Sequence, residues 1–161
     1  MFFEARRFNG DLSTWDVSRV THMGEMFSGA RSFNGALSHW YVGQVTDMSW
    51  MFSTAIIFNR DLSHWDVGKV IDMQGMFYQA RAFNGYLSQW NVGQVVNMEM
   101  MFNGATSFKQ ALCGEAWVNS KANKKSMFID SQGTISCRRR GRYQPKSKED
   151  LKGAVNKCRD R

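Results

Sequence analysis

The chain has a single proline, Pro145, and no apolar run near the roughly 18 residues that a membrane-crossing helix requires. That excludes a membrane-spanning helix in the residues given. A secretory leader would carry an uninterrupted apolar stretch, whereas Met1–Asn9 contains Glu4, Arg6 and Arg7. No signal peptide is expected here. Positive charge is also scarce over most of the length: residues 1–112 hold 8 Lys+Arg against 9 Asp+Glu, a net of −1, although the whole chain is +7. Residues 113–161 hold 13 against 5, a net of +8, so the basicity belongs to the last third. A nucleic-acid-binding body spreads its positive charge over a folded face, and the near-neutral first two-thirds argue against that class.

What the chain does have is bulk. Its 161 residues are 43% hydrophobic and 14% aromatic, with Met 11, Phe 12 and Trp 6, which excludes an extended disordered segment and is enough to bury a core. So strong a bias toward Met and Phe calls for a repeat, and one is present with a period of 25. Full units begin at Phe8, Phe33, Phe58 and Phe83, and a fifth starts at Phe108. Eleven of the 25 positions recur, among them Phe8/Phe33/Phe58/Phe83, Asn9/Asn34/Asn59/Asn84, Leu12/Leu37/Leu62/Leu87, Trp15/Trp40/Trp65/Trp90, Met23/Met48/Met73/Met98 and Phe27/Phe52/Phe77/Phe102. Residues 1–7 match the tail of a unit, with Met1, Phe2 and Ala5 standing where Met26, Phe27 and Ala30 stand later. The chain thus starts mid-repeat and is expected to be a fragment of a longer protein.

A unit of this size cannot cover its own large apolar side chains, so identical units must stack and share one continuous core. The β-branched start of Val20-x-x-Met23-x-x-Met26-Phe27 predicts a short strand pairing in parallel with its copies. The following Met-Phe-x-x-Ala-x-x-Phe spacing fits one or two helical or 3₁₀ turns on the convex side. A buried Asn once per coil is expected to hydrogen-bond neighbouring loop backbone.

The elements LS-x-W-x-V, V-x-x-M-x-x-MF and A-x-x-FN, repeated with small departures such as Tyr41 and Asn91, resemble the repeat of BspA-like leucine-rich-repeat surface proteins. That unit is known from mycoplasma lipoproteins and protist surface proteins, and the likeness runs from Met1 to about Phe128. The resemblance implies a right-handed solenoid of the leucine-rich-repeat kind, exposed outside the cell and used for adhesion or recognition. It implies no catalytic residues.

After Leu112 the columns degrade: Lys109 replaces Asn and Trp117 arrives two residues late. Residues 113–137 are read as a C-terminal cap on the apolar column. In an oxidising compartment Cys113 and Cys137, which flank the cap, are the natural disulfide pair, leaving Cys158 over. The alternative is a structural zinc site, which lacks both CxxC spacing and a nearby His. Residues 138–161 are read as a basic linker and a short connector helix, with Ser147 as N-cap and Leu151, Val155 and Cys158 as its apolar stripe. A similar helix precedes the next array in the same surface proteins, so a further module is expected beyond it.

Candidate sites are few. His39 and His64 share a column, too few for a metal site, and Asp16, Asp66 and Asn91, with Asp11 and Asp61 nearby, form a second polar column without a calcium-loop pattern. Arg138, Arg139, Arg140 and Arg142 are dense enough to attract a polyanion. The positions that vary between conserved columns, Arg19/Gln44/Lys69/Gln94 and His22/Asp47/Asp72/Asn97, are the candidate binding face. Nearly every polar group is repeated rather than placed once in a pocket, which points away from catalysis, and no cofactor is expected. Two readings follow: an extracellular or cell-surface module binding a protein or glycan, or a purely architectural spacer or assembly segment of a larger protein or complex.

Overall fold

Backbone donors decide how successive units join. In a computed structural model, which describes residues 1–137, the N–H groups of Met23, Glu25, Phe27 and Gly29 donate to the carbonyls of Asp47, Ser49, Met51 and Ser53. The same set recurs from Met48, Trp50, Phe52 and Thr54 to Asp72, Gln74, Met76 and Tyr78, and onward along the chain. Each unit is therefore hydrogen-bonded in register to the next.

The expected leucine-rich-repeat solenoid with a parallel strand in each coil does not form. Among the described residues there is no strand and no sheet, only single parallel bridges linking His22, Asp47, Asp72, Asn97 and Asn123, and one joining Ala111 to Thr134. The reason lies in the N–H groups between those of the ladder. Met26, Ser28 and Ala30 donate back to Met23, Glu25 and Phe27, three residues earlier in their own unit. A strand in a sheet sends alternate N–H groups to opposite neighbours; here the alternate group is spent inside the unit, so pairing stops after one residue. The expected helical or 3₁₀ turns are absent as well. Residues 24–29 are a run of turns that reverses through two left-handed positions, Glu25 and Gly29 in the first full unit.

Those positions recur too. Glu25, Trp50, Gly75, Met100 and Ser126 form one left-handed column, and Glu4, Gly29, Thr54, Gln79, Gly104 and Asp130 form the other. Most are not glycine, and each non-glycine holds a conformation costing about 1–2 kcal/mol. Packing outweighs that cost. Phe27, Phe52, Phe77, Phe102 and Phe128 stack in one file at 5.5 to 5.7 Å between ring centroids. Phe33, Phe58, Phe83 and Phe108 form a second file at 5.8 to 6.1 Å. Where the chain passes from one unit into the next the files touch: Phe52 lies 4.1 Å from Phe58 and Phe77 lies 3.8 Å from Phe83. Stacked rings contribute about 0.5–1.5 kcal/mol per pair beyond their buried area. Met23/Met48/Met73/Met98 and Met51/Met76/Met101 fill the gaps beside them, fully buried.

Two polar ladders lock the register. The Trp40, Trp65 and Trp90 indole Nε1–H groups donate to the Leu12, Leu37 and Leu62 carbonyls at 2.9 to 3.1 Å. The Asn34, Asn59 and Asn84 N–H groups donate to Oδ1 of Asn9, Asn34 and Asn59, as expected of that column, although these side chains are exposed or half-buried rather than buried.

The array closes on α1, Glu115–Asn119. Although Trp117 is two residues late, its Nε1–H reaches the Leu87 carbonyl at 2.9 Å, so the five-residue helix takes up the insertion and restores the ladder. Residues 132–134 then cross the last rings: the Gln132 and Thr134 N–H groups donate to Phe108 and Gln110, and Leu112 donates to Thr134. Gly133 fits there because a Cβ would stand 2.5 Å from the Phe108 ring and 2.8 Å from that of Phe128. The Cys113–Cys137 disulfide, with Cα atoms 4.5 Å apart, ties this segment down, and the zinc alternative falls. The connector helix, Cys158 and the basic linker lie outside the described residues.

The turns and the crosslink each make a testable expectation. Thr54 is β-branched at φ 54°, so Thr54→Gly is expected to raise stability by about 0.5–1 kcal/mol in urea unfolding. Gly75→Ala is expected to lower it by about 1–3 kcal/mol, because the added methyl meets the Trp50 ring, and by less when Trp50→Ala is also present. The crosslink spans 24 residues. Replacing both cysteines by serine should cost about 3 kcal/mol, with faster amide exchange at Leu112 and Thr134 as the local reading.

Candidate functional site

The two halves of the expected binding face behave differently. Arg19, Gln44, Lys69 and Gln94 are all exposed and succeed one another along the units, with Lys69 Nζ donating to Gln44 Oε1 at 2.7 Å. They form a ridge of differing side chains on one repeated backbone position. The column beside it is structural. Asp47, Asp72 and Asn97 are half-buried, carry the single-residue bridges, and accept on Oδ1 the N–H groups of Ser49, Gln74 and Glu99 at 2.7 to 3.1 Å. Only His22, at the open end, is exposed, with Nδ1 2.8 Å from the Thr21 hydroxyl.

The carboxylates of the Leu-Ser-x-Trp loops are likewise engaged locally. Asp11, Asp16 and Asp61 accept the N–H groups of Ser13, Ser18 and Ser63, each at 2.9 Å, and Asp66 accepts that of Gly68 at 3.1 Å. Bonds from the Ser13 N–H and then its hydroxyl hold the Asp11 carboxyl below its ordinary value, and Ser63 does the same for Asp61 in the same order. For Asp16 the Ser18 hydroxyl is the larger cause and its N–H the second. Asn91 makes the same turn as a neutral side chain, to the Gly93 N–H at 3.2 Å. His39 and His64 are exposed, and among the described residues no three His, Cys, Asp or Glu side chains gather as a metal site would require.

One feature was not foreseen from the sequence. Beside α1 runs a shallow groove in two parts, about 330 Å³ and about 460 Å³, which share Gly93, Ala116 and Asn119. Gln94 and Lys121 line the first part; Asn91 and Glu115 line the second. The two-residue delay of Trp117 is the only trace of it in the sequence, because that delay makes room for the helix. Nearby, burial pushes the Lys124 ammonium below its usual value, with the Lys121 charge a second cause, while its Nζ donates to the Ser120 carbonyl at 2.6 Å. No helix among the described residues is long and apolar enough to cross a membrane. Arg138, Arg139, Arg140 and Arg142 lie outside the described residues.

Set against known families, residues 1–117 match the model described as "Mycoplasma protein of unknown function, DUF285". The chain belongs to that family. The match to DUF285 covers all four full units and stops inside α1, so the rest of the cap and the basic tail lie beyond it. No curated protein and no solved structure matches the chain. The family's description assigns no activity.

The loop aspartates make acid stability predictable. A carboxyl held below its ordinary value in the folded chain stabilises the fold fully above the unfolded value of about 3.9, and that contribution is lost as pH falls through the folded value. Urea midpoints should therefore drop between about pH 5 and about pH 2. The drop should shrink in the triple variant Asp11→Asn, Asp16→Asn, Asp61→Asn, which keeps the turn acceptor as Asn91 does.

Proposed function

We propose that this chain is a non-catalytic recognition module of the cell surface or extracellular space, which engages a protein or glycan partner through the ridge of Arg19, Gln44, Lys69 and Gln94. The ridge itself carries this reading: one backbone position per unit, exposed each time, presents Arg, Gln, Lys and again Gln, while the apolar columns beneath it repeat. A rigid scaffold with variable exposed positions suits binding, since the contact groups are held in place before the partner arrives. The disulfide between two exposed cysteines fits an oxidising compartment, and the likeness of the repeat to BspA-like surface proteins supports the same placement.

A second reading is architectural. It is favoured by how many repeated polar groups are already spent: the Asn column, the Trp indoles and the loop carboxylates all bond within the array. In that case the chain spaces or assembles a larger surface protein and takes no ligand on the ridge.

Glycan and protein arrays probed with the folded chain separate the two. The recognition reading expects saturable binding that falls at least about tenfold in a Lys69→Glu, Gln94→Ala variant of unchanged circular dichroism, a loss of about 1.4 kcal/mol. Silence of both arrays, or binding indifferent to those substitutions, supports the architectural one.

A further inference from the structure

One position after each loop tryptophan turns the chain by the same device. Asp16, Asp66 and Asn91 accept on Oδ1 the N–H group two residues ahead, from Ser18, Gly68 and Gly93. In the unit of residues 33–57 that position is Tyr41, whose ring cannot accept in this way, and among the described residues the Gly43 N–H has no hydrogen-bond partner. Tyr41 thus breaks the turn chemistry of its column without a structural return, and such breaks belong to functional positions.

The tyrosine is anchored yet open. Its Cζ and hydroxyl oxygen each stand 3.3 Å from the point that a Cβ on Gly43 would occupy, while the residue is 59% exposed. Gly43 is buried beneath it, whereas Gly68 is half-buried and Gly93 exposed. In the next unit Asp66 Oδ2 stands 3.2 Å from the same point and makes no hydrogen bond among the described residues, since Oδ1 holds the turn. Asn91 follows one unit further on, its Nδ2 3.6 Å from the equivalent point on Gly68. Asn91, Glu115 and Asn119 then line the second part of the groove beside α1. One ring, one carboxylate and one amide therefore form a strip that ends in the groove.

We propose that this strip binds a neutral linear oligosaccharide, one sugar ring lying on Tyr41 and the following sugars presenting hydroxyls to Asp66 Oδ2, Asn91 Nδ2 and the groove. A pyranose and a tyrosine ring each have a flat apolar face and a polar rim, so an anchored ring with an open face suits a sugar. An aromatic anchor for a protein partner fills a closed, desolvated pocket; Tyr41 has more than half its surface in solvent. Charge selects the class of sugar. Asp16 and Asp66 hold the same position in the units on either side of Tyr41, and the Ser18 hydroxyl and then its N–H keep the Asp16 carboxyl below its ordinary value. Both are ionised at neutral pH, so a sulfated, sialylated or uronic sugar would meet two like charges. Successive units lie 5.5 to 6.1 Å apart at their phenylalanine rings, close to the length of one sugar in an extended chain. The inference rests on the recognition reading and narrows its partner to a glycan: Asn91 and Gln94 line the two parts of one groove, so the strip borders the ridge.

The test is titration of the full chain, followed by NMR, with tetramers of β-1,4-linked glucose, mannose and N-acetylglucosamine, and with tetragalacturonate as the anionic control. At least one neutral tetramer is expected to saturate, with magnetisation transferred from the protein to its ring C–H protons, and to bind at least about tenfold more tightly than tetragalacturonate. Tyr41→Asp restores the turn acceptor that Asp16 and Asp66 supply, so it should keep the circular dichroism and a urea midpoint no lower than that of the parent chain. The same variant should weaken sugar binding at least about tenfold, whereas Tyr41→Phe, which keeps the ring, should stay within about threefold. Failure of every neutral tetramer to bind, preference for tetragalacturonate, or binding indifferent to Tyr41→Asp would overturn the proposal. If protein-array binding sensitive to Lys69→Glu with Gln94→Ala accompanies that failure, the ridge reading survives; silence of both arrays removes it as well.

Discussion

The junction between one unit and its copy is the interaction on which everything else rests. No unit has an interior of its own: Phe52 and Phe58 are covered above and below by Phe27, Phe77, Phe33 and Phe83. Stability therefore accrues junction by junction, with ring stacking, buried methionine and in-register hydrogen bonds all adding where two units meet. One end is closed by α1, residues 132–134 and the Cys113–Cys137 disulfide. At the other, Trp15 and Phe8 lack the cover that their inner copies have.

Shared junctions also decide which polar groups are left for function. An asparagine or tryptophan repeated at one position looks like a candidate ligand-binding column, but Asn34, Asn59, Trp40 and Trp65 are engaged with the preceding unit. The aspartates turn their own loops. What remains toward solvent is the part that the junction does not use, namely Arg19, Gln44, Lys69 and Gln94, and the groove that appears where the period breaks beside α1. Function in such an architecture belongs to positions that vary or to places where repetition fails.

The period, the core columns and the structural role of the asparagines could be read from the sequence because each depends on residue identity recurring at one spacing. The disulfide partners could be chosen because they flank the segment in which the columns degrade. The strand could not be read correctly. Val20, Met23, Met26 and Phe27 suit an extended segment by composition, yet Met26 and Ser28 donate three residues back, and nothing in those side chains announces it. The left-handed column of Glu25, Trp50, Gly75, Met100 and Ser126 was hidden for the same cause: only one of the five is glycine.

The sequence by itself thus determined which apolar columns form the core and that each must rest on its copy, since a unit of this size cannot cover its own apolar surface. Only the tertiary structure decided the path of the backbone between those side chains. That path depends on where each N–H group finds an acceptor, and half of the acceptors belong to the neighbouring unit. A left-handed turn of non-glycine residues is unfavourable alone and becomes the stable choice when it delivers Met23, Glu25, Phe27 and Gly29 in step to the carbonyls of the next unit.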